Sequence, residues 1–372
     1  MPGSFTFPIA FVSAWAPPYI LWYPSPVMTP RCTITAPTIG FGAVYPFPLS
    51  EISRQRRIYF TSSAGCGINF FYMFCDYLTK NINLWRMNRE APVVGDAIRH
   101  IRNELAGIYP AGEIRGFTEL IFEHLFKYSK TDLLIHNDTK LSNSAFFQIE
   151  DFVRQLKHHK PVQYILGEAW FYGLKLEVNP RVLIPRQETE ELVRWIIEDT
   201  GSSSVKILDI GTGSGCIAIA LDLNLPLSDV EAFDKSAGAV EVASGNAART
   251  GASVSCYCDD ILNPVVVNTA IYDIIVSNPP YVTVSERLLM DRNVLCYEPV
   301  EALFVPDSQA LIYYEAIAGF GRESLKEGGR LYLEINEAKH GEVLQLLKRH
   351  LYRNIELKKD INGKYRMVKA VI

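Results

Sequence analysis

The chain has 372 residues, a formal net charge of -4 and 48% hydrophobic residues, enough for a full α/β core and a second small domain. That mild acidity does not call for a nucleic-acid-binding face, because phosphate neutralisation by basic residues supplies most nucleic-acid affinity, although a local basic patch is compatible with the total. The seven cysteines are scattered and odd in number, and Cys256 and Cys258 form a C-x-C that reads as strand, so the pattern argues against a secreted disulfide framework and a reducing cytoplasm is expected.

Residues 1–50 carry one charge, Arg31, among many prolines and aromatics, and no amphipathic period survives that proline density. A second uncharged run, 58–75, follows Arg54, Arg56 and Arg57. Thr61, Ser62, Ser63, Gly65, Gly67 and Asn69 make it a poor membrane span, and none is expected. From Met87 onward, charges and helical periods appear at ordinary density. Residues 1–86 are therefore expected to be a non-native or disordered extension, with translation starting at Met87.

Residues 87–166 read as a small helical domain. One helix opens near Pro92 and places Val94, Ile98, Ile101 and Leu105 on one stripe. A second carries Ile114, Phe117, Leu120, Ile121 and Leu125, and a third ends at Pro161. The segment 167–187 is rich in β-formers around Asn179-Pro180 and predicts a hairpin linker. From Glu188 helices alternate with strands, the strands being VKILDI, VEAFD, SVSCYC, DIIVSN, RLYLEI, NIELKK and RMVKAVI. The alternation predicts an α/β domain over 188–372, doubly wound on a mainly parallel seven-stranded sheet. Asn362-Gly363 between the last two strands signals a hairpin, so the final strand is expected to run antiparallel.

The first of these strands runs into Gly211, Thr212, Gly213, Ser214 and Gly215 and then a helix, a turn whose free amides meet a ligand closely. Asp209 stands just ahead of the loop. Its charge would repel a pyrophosphate and attract the ammonium of a methionine moiety. The next strand ends in Asp234, placed to accept from both ribose hydroxyls of an adenosine cofactor. The third ends in Asp259 and Asp260. One carboxylate, with the following backbone N–H, can pair with the adenine edge. Asp260 is preferred because it directly precedes the apolar Ile261, and Asp259 is then expected to be solvated.

The fourth strand runs into Asn278-Pro279-Pro280-Tyr281. An amide nitrogen is a weak nucleophile because its lone pair is delocalised. The Asn278 side-chain carbonyl and the Pro279 backbone carbonyl offer two acceptors for one NH2, which polarise it and aim it at a sulfonium methyl. Tyr281 can lie on the planar face of the target group. This chemistry needs no metal and no strong base.

Asn278 to Tyr281 together with LDIGTGSG resembles the class I S-adenosyl-L-methionine-dependent methyltransferases that modify amide or amino nitrogens. The narrower resemblance is to the release-factor glutamine methyltransferases of the HemK type. It is carried also by QYILGEAWFYGLKLEVNPRVLIPR, LIPRQETEELV and YEPVEALFVPD, and it covers the chain from about Pro92. The resemblance implies methyl transfer to the side-chain nitrogen of a glutamine in a peptide chain release factor. It implies cofactor contacts at residues 211–215, Asp234, Ile261 and Asn278, and substrate contacts at residues 278–281. Arg186 is implied as a further substrate contact and, with Glu188 and Thr189, in closing the site. Ala232 and Phe233 stand where such strands usually end in smaller residues, which is expected to alter ribose packing while leaving the acid in place.

Three alternatives remain open in the sequence. An adenine-N6 methyltransferase acting on DNA or RNA shares the clamp. The helical domain argues against it, because Lys127, Lys130, Arg154, Lys157 and Lys160 are offset by Glu104, Glu113, Glu119, Glu123, Asp132, Glu150 and Asp151. A ribosomal-protein glutamine methyltransferase shares the clamp as well, and a non-catalytic module could keep the fold. A monomer without a stable nucleic-acid partner is expected. A chain starting at Met87 is expected to bind cofactor and methylate as the full chain does. Loss of activity on that truncation, or recovery of the peptide SFTFPIAFVSAW from native protein, would overturn the start-site expectation.

Overall fold

The computed structural model describes residues 91–265 and 269–372. The expected start at Met87 and the extension before it lie outside the described residues. Five helices come first: α1 (Val94–Leu105), α2 (Ala111–Phe126), α3 (Lys130–Ile135), α4 (Asn143–Lys157) and α5 (Val162–Leu166). The α1 helix starts two residues after Pro92, with extended Val93 as its cap. Its buried stripe is Val94, Ala97, Ile101 and Leu105, and Ile98 is only partly covered. These side chains meet Ile114, Phe117, Ile121 and Phe122 of α2 and Ile149, Val153 and Leu156 of α4 in one apolar core.

A hairpin follows, β1 (Glu168–Phe171) and β2 (Leu174–Glu177), paired Phe171 to Leu174. The turn lies at Tyr172-Gly173, not at Asn179-Pro180. Tyr172 and Gly173 have φ of 50° and 76°, the left-handed pair a two-residue hairpin turn requires. Asn179 instead makes a separate turn after β2, its carbonyl accepting from Val182 N–H and its side chain from Arg181 N–H.

The remainder alternates as the sequence predicts. The α6 helix (Gln187–Thr200) leads into β3 (Lys206–Ile210), α7 (Cys216–Asn224), β4 (Asp229–Asp234), α8 (Ala237–Thr250), β5 (Ser255–Cys258) and β6 (Tyr272–Ser277). A short pair, β7 (Val282–Thr283) and β8 (Phe304–Val305), flanks α9 (Arg292–Tyr297). Then come α10 (Ile312–Ser324), β9 (Leu325–Glu334), α11 (His340–Arg349), β10 (Arg353–Lys359) and β11 (Tyr365–Val371). The seven-stranded sheet has the order β10-β11-β9-β6-β3-β4-β5. All neighbours pair in parallel except β11, which is inserted antiparallel between β9 and β10.

Successive strand residues point to opposite faces, so the sheet is apolar on both. On one face Ile207, Val230, Ile274 and Val276 pack under Leu192, Trp195 and Ile196 of α6 and Ile217 to Leu221 of α7. On the other, Leu208, Ile210, Phe233, Ile275, Leu331 and Leu333 pack under Tyr314, Ile317 and Ala318 of α10 and Val343, Leu346 and Leu347 of α11. Among the described residues no helix is long and apolar enough to cross a membrane.

Gly215 caps α7 with φ 81°, and a Cβ there would stand 3.0 Å from Ile219 Cδ1 and 3.2 Å from the Ala243 Cα of α8. Gly215→Ala is expected to cost about 1–3 kcal/mol of stability through left-handed strain and crowding together. Chemical denaturation measures it, and a change below about 0.5 kcal/mol, the range of neutral surface substitutions, would count against this packing.

Candidate active site

Chain order runs outward from β3 through β4 to β5 and then returns to β6 on the other side of β3. The reversal makes a switch point, and ligands of open α/β sheets bind outside the carboxyl ends of strands at such a point. The register levels those ends. Ile210 pairs with both Phe233 and Ser277, and Ser277 pairs with Leu333. Gly211, Asp234, Asn278 and Glu334, each next in its chain, therefore stand side by side along one edge. The buried Ser277 hydroxyl donates to the Ile210 carbonyl at 2.7 Å and pins two of these ends together.

The glycine loop is held from below. Gly211 and Thr212 N–H both donate to the Phe233 carbonyl, at 2.9 and 3.0 Å. Gly211 and Gly213 have φ of 72° and 56°, and a Cβ at either would meet nothing within 4 Å. Both conditions suit a backbone that a ligand approaches closely. Asn246 of α8, fully buried, donates to the Ser214 carbonyl at 2.9 Å and also bonds both backbone groups of Glu177. It ties the loop to the hairpin linker, a contact nothing in the sequence announced.

Asp209 is 0% exposed. Its Oδ2 accepts from the Thr212 hydroxyl at 2.6 Å, while Oδ1 has no donor in hydrogen-bond geometry among the described residues. Burial pushes this carboxyl up to about 7; the Thr212 hydroxyl and the nearby Ala218 amide oppose the rise, and Asp234 adds to it. A buried acceptor with a spare oxygen fits the cation expected here, because an unpaired buried polar atom is costly until a partner arrives.

Asp234 does more than face solvent. Its Oδ2 accepts from Gly213 N–H and its Oδ1 from Ser236 N–H, both at 2.9 Å. The carboxylate braces the loop and the start of α8, and each oxygen keeps a lone pair for a further donor. Burial raises its pKa, opposed by these two amides. Phe233 packs inward against Tyr257 and Phe320 rather than toward the edge.

The two aspartates after β5 divide their work in a way the sequence did not show. Asp259 is buried, not solvated: its Oδ1 accepts from the N–H groups of Asp260 and Val265 and closes the turn. Asp260 is half-buried, its Oδ1 accepting from Leu262 N–H and its Oδ2 paired with Lys235 at 2.8 Å. Ile261 is buried within the core of that sheet face.

Arg186 has a partner that the sequence did not show. Its guanidinium donates at 2.6 Å to Glu298, whose second oxygen accepts from Ile184 N–H. The Glu298 side chain is 1% exposed. Arg186 is thereby committed to holding the segment before α6 against the one after α9, because a buried carboxylate keeps its partner. Glu188 is half-buried and accepts from Asn362 Nδ2 at 3.4 Å.

Asn278 carries a connection absent from the sequence reading. Its Nδ2 donates to Thr189 Oγ1 at 3.2 Å, and Thr189 Oγ1 donates to Glu334 Oε2 at 2.6 Å. The other oxygen of Glu334 accepts from the Tyr281 hydroxyl at 2.9 Å, and Arg366 stands over the Tyr281 ring at 5.9 Å. Glu334 is fully buried, and burial raises its pKa against the pull of Thr189, Tyr281 and Arg366. Asn336 Nδ2 donates to the Tyr281 carbonyl at 3.1 Å. Pro279 is buried, and no donor among the described residues meets its carbonyl. Glu334, Asn336 and Arg366 escaped sequence reasoning. The one available signal was a glutamate inside the apolar strand RLYLEI.

Two family descriptions match the chain: the Methyltransferase small domain over residues 188–294 and the PrmC N-terminal domain over residues 96–167. A release factor glutamine methyltransferase of Flavobacterium psychrophilum is 44% identical over 270 residues, which is 72% of this chain and 94% of that protein. One from Bacteroides thetaiotaomicron is 42% identical over 271 residues, 73% of this chain and 97% of that protein. A solved structure from Alicyclobacillus acidocaldarius, a protein-(glutamine-N5) methyltransferase (release factor-specific), is 26% identical over 53% of this chain and 98% of that one, with a TM-score of 0.32.

Because the Asp209 carboxyl is raised in the fold, ligand-free stability is expected to fall as pH rises from about 4 through about 7. Asp209→Asn removes that titration. The variant is expected to melt above the native protein at pH 8, with the advantage gone at pH 4, as differential scanning fluorimetry reads. Parallel melting curves at both pH values would refute an ionised Asp209 buried without a cation.

Proposed function

The chain belongs to the release factor glutamine methyltransferase family, and on that premise we propose that Asn278 and Pro279 are the two acceptors that hold its substrate amide. It is an enzyme that transfers a methyl group from S-adenosyl-L-methionine to the side-chain amide nitrogen of a glutamine in a peptide chain release factor. Family membership favours this substrate over the exocyclic amine of adenine and over a ribosomal-protein glutamine.

The observation that carries the site reading is the orientation of Asn278. With Nδ2 spent on Thr189, Oδ1 is the atom left to face a substrate NH2. Pro279 adds a second carbonyl one residue on, stiffened because the ring fixes φ. Two acceptors on one NH2 align both N–H bonds in the clamp plane and turn the nitrogen lone pair out of it. They also increase electron density on nitrogen as positive charge develops there. Tyr281, tied down through its hydroxyl and its carbonyl, supplies a fixed edge beside the clamp.

Bound S-adenosyl-L-methionine supplies an electrophilic methyl on a sulfonium, which departs as a neutral thioether. Residues 211–215 are the proposed cradle, Asp209 the counter-charge for the methionine ammonium, Asp234 the acceptor for ribose hydroxyls, and Asp260 with Ile261 the adenine edge. The nitrogen becomes acidic once alkylated and loses its extra proton to water. We further propose that the helices over 94–166 recognise the release factor, since they add surface the cofactor does not need.

Asn278→Ala is expected to lower kcat on a release factor by about 10²–10³-fold, the range for losing one preorganised polar group aimed at the transition state. Cofactor affinity should change far less, and the Pro279 carbonyl should sustain the residual rate. Labelled methyl transfer with calorimetry tests both. A near-native kcat in the variant removes Asn278 from the chemistry.

A further inference from the structure

An asparagine amide has nearly the same shape either way round. Turned over, it would present the substrate NH2 with donors instead of an acceptor, and the clamp would repel what it must hold. Something must choose the orientation, and Asn278 has no covalent means to do so.

The choice can be followed proton by proton. Glu334 receives two donors, the Thr189 hydroxyl on one oxygen and the Tyr281 hydroxyl on the other. The Thr189 hydroxyl has a single proton, and at 2.6 Å it is given to Glu334. Toward Asn278 that oxygen can then only accept. An acceptor at 3.2 Å selects Nδ2, and Oδ1 is left to the substrate side. All three groups come from separate elements: Thr189 from α6, Asn278 from the end of β6 and Glu334 from the end of β9. Both Thr189 and Glu334 are buried, so water does not compete for the hydroxyl.

We propose that Glu334 and Thr189 are positioning residues that fix which way round the Asn278 amide stands, and so set the polarity of the clamp toward the substrate amide. The inference rests on Asn278 Oδ1 receiving the substrate NH2. Neither residue touches the reacting atoms. Their effect is to remove the inverted orientation, which would otherwise compete with the productive one.

A merely structural role for Thr189 would depend on its shape, whereas this role depends on its hydroxyl. Thr189→Val keeps the shape and loses the hydroxyl; Thr189→Ser does the reverse. With the full chain, S-adenosyl-L-methionine and a purified release factor, Thr189→Val is expected to lower kcat about tenfold or more, with KM for the cofactor and the thermal midpoint little changed. Thr189→Ser is expected to stay within about threefold of native. Glu334→Gln keeps its shape but can donate to Thr189, turning that hydroxyl's proton toward Asn278, and is expected to slow kcat like Thr189→Val. It also reads the relay should the valine variant not fold. Asn278→Asp has two equivalent oxygens and no wrong way round, so adding Thr189→Val to it is expected to cost little more, a non-additivity that packing alone would not produce. Native kcat in Thr189→Val, equal losses in the serine and valine variants, or strict additivity with Asn278→Asp would each overturn the relay. If Asn278→Ala is itself as fast as native, the clamp reading fails first. If it is slow while Thr189→Val and Glu334→Gln are fast, only the relay fails.

Discussion

The site depends on parallel strands ending level. The pairing of Ile210 with Phe233 on one side and Ser277 on the other puts the glycine loop, Asp234 and Asn278 on a single edge. A slip of one residue would turn every side chain at that edge to the opposite face. The register is held by apolar side chains on both faces of the sheet, so the packing that stabilises the domain also aligns its chemistry. Where the register alone is insufficient, buried hydroxyls reinforce it, as Ser277 does at the Ile210 carbonyl.

Two carboxylates, Asp209 and Glu334, are buried at that edge, and each is raised by the loss of water. Their surroundings differ. Glu334 has a hydroxyl donor on each oxygen and Arg366 nearby, so it serves as an internal anchor that orders its neighbours. Asp209 has one hydroxyl donor and a spare oxygen. Glu334 is satisfied by the fold, whereas Asp209 keeps one oxygen without a hydrogen-bond donor among the described residues. The difference between them follows from counting hydrogen bonds, since an incompletely paired buried acceptor favours whatever brings a donor or a positive charge.

The hairpin linker and the segment before α6 transmit this order outward. Tyr164 of α5 donates to the Val182 carbonyl at 2.6 Å, and Tyr297 donates to the His158 carbonyl at 2.9 Å. Val178, Val182 and Ile184 pack with Ala239 and Val242 of α8. Arg186 and Glu298 close the same region with an ion pair. The helices over 94–166 thus rest on the segment after the hairpin and on α9.

Local features of the chain were legible without the fold. Strand and helix order, the glycine loop after VKILDI, the hairpin at Asn362-Gly363 and the tetrapeptide at residues 278–281 each depend on backbone preferences and side-chain periods within a few residues, and such preferences are written in neighbouring letters. Misreadings began where a residue's partner was distant. Asp259 looked like a surface acid because its acceptor role in a turn depends on how the loop after β5 folds back. The ion pair of Arg186 could not be read along the chain because Glu298 lies 112 residues away. Glu334 went unnoticed as a partner of Thr189, 145 residues earlier in the chain. The sequence by itself determined which backbone shapes form and which chemical groups the chain carries to one edge of a sheet. Only the tertiary structure decided which of those groups spend their hydrogen bonds on each other and which remain open to a ligand, because donors and acceptors pair through space, by register and packing rather than along the chain.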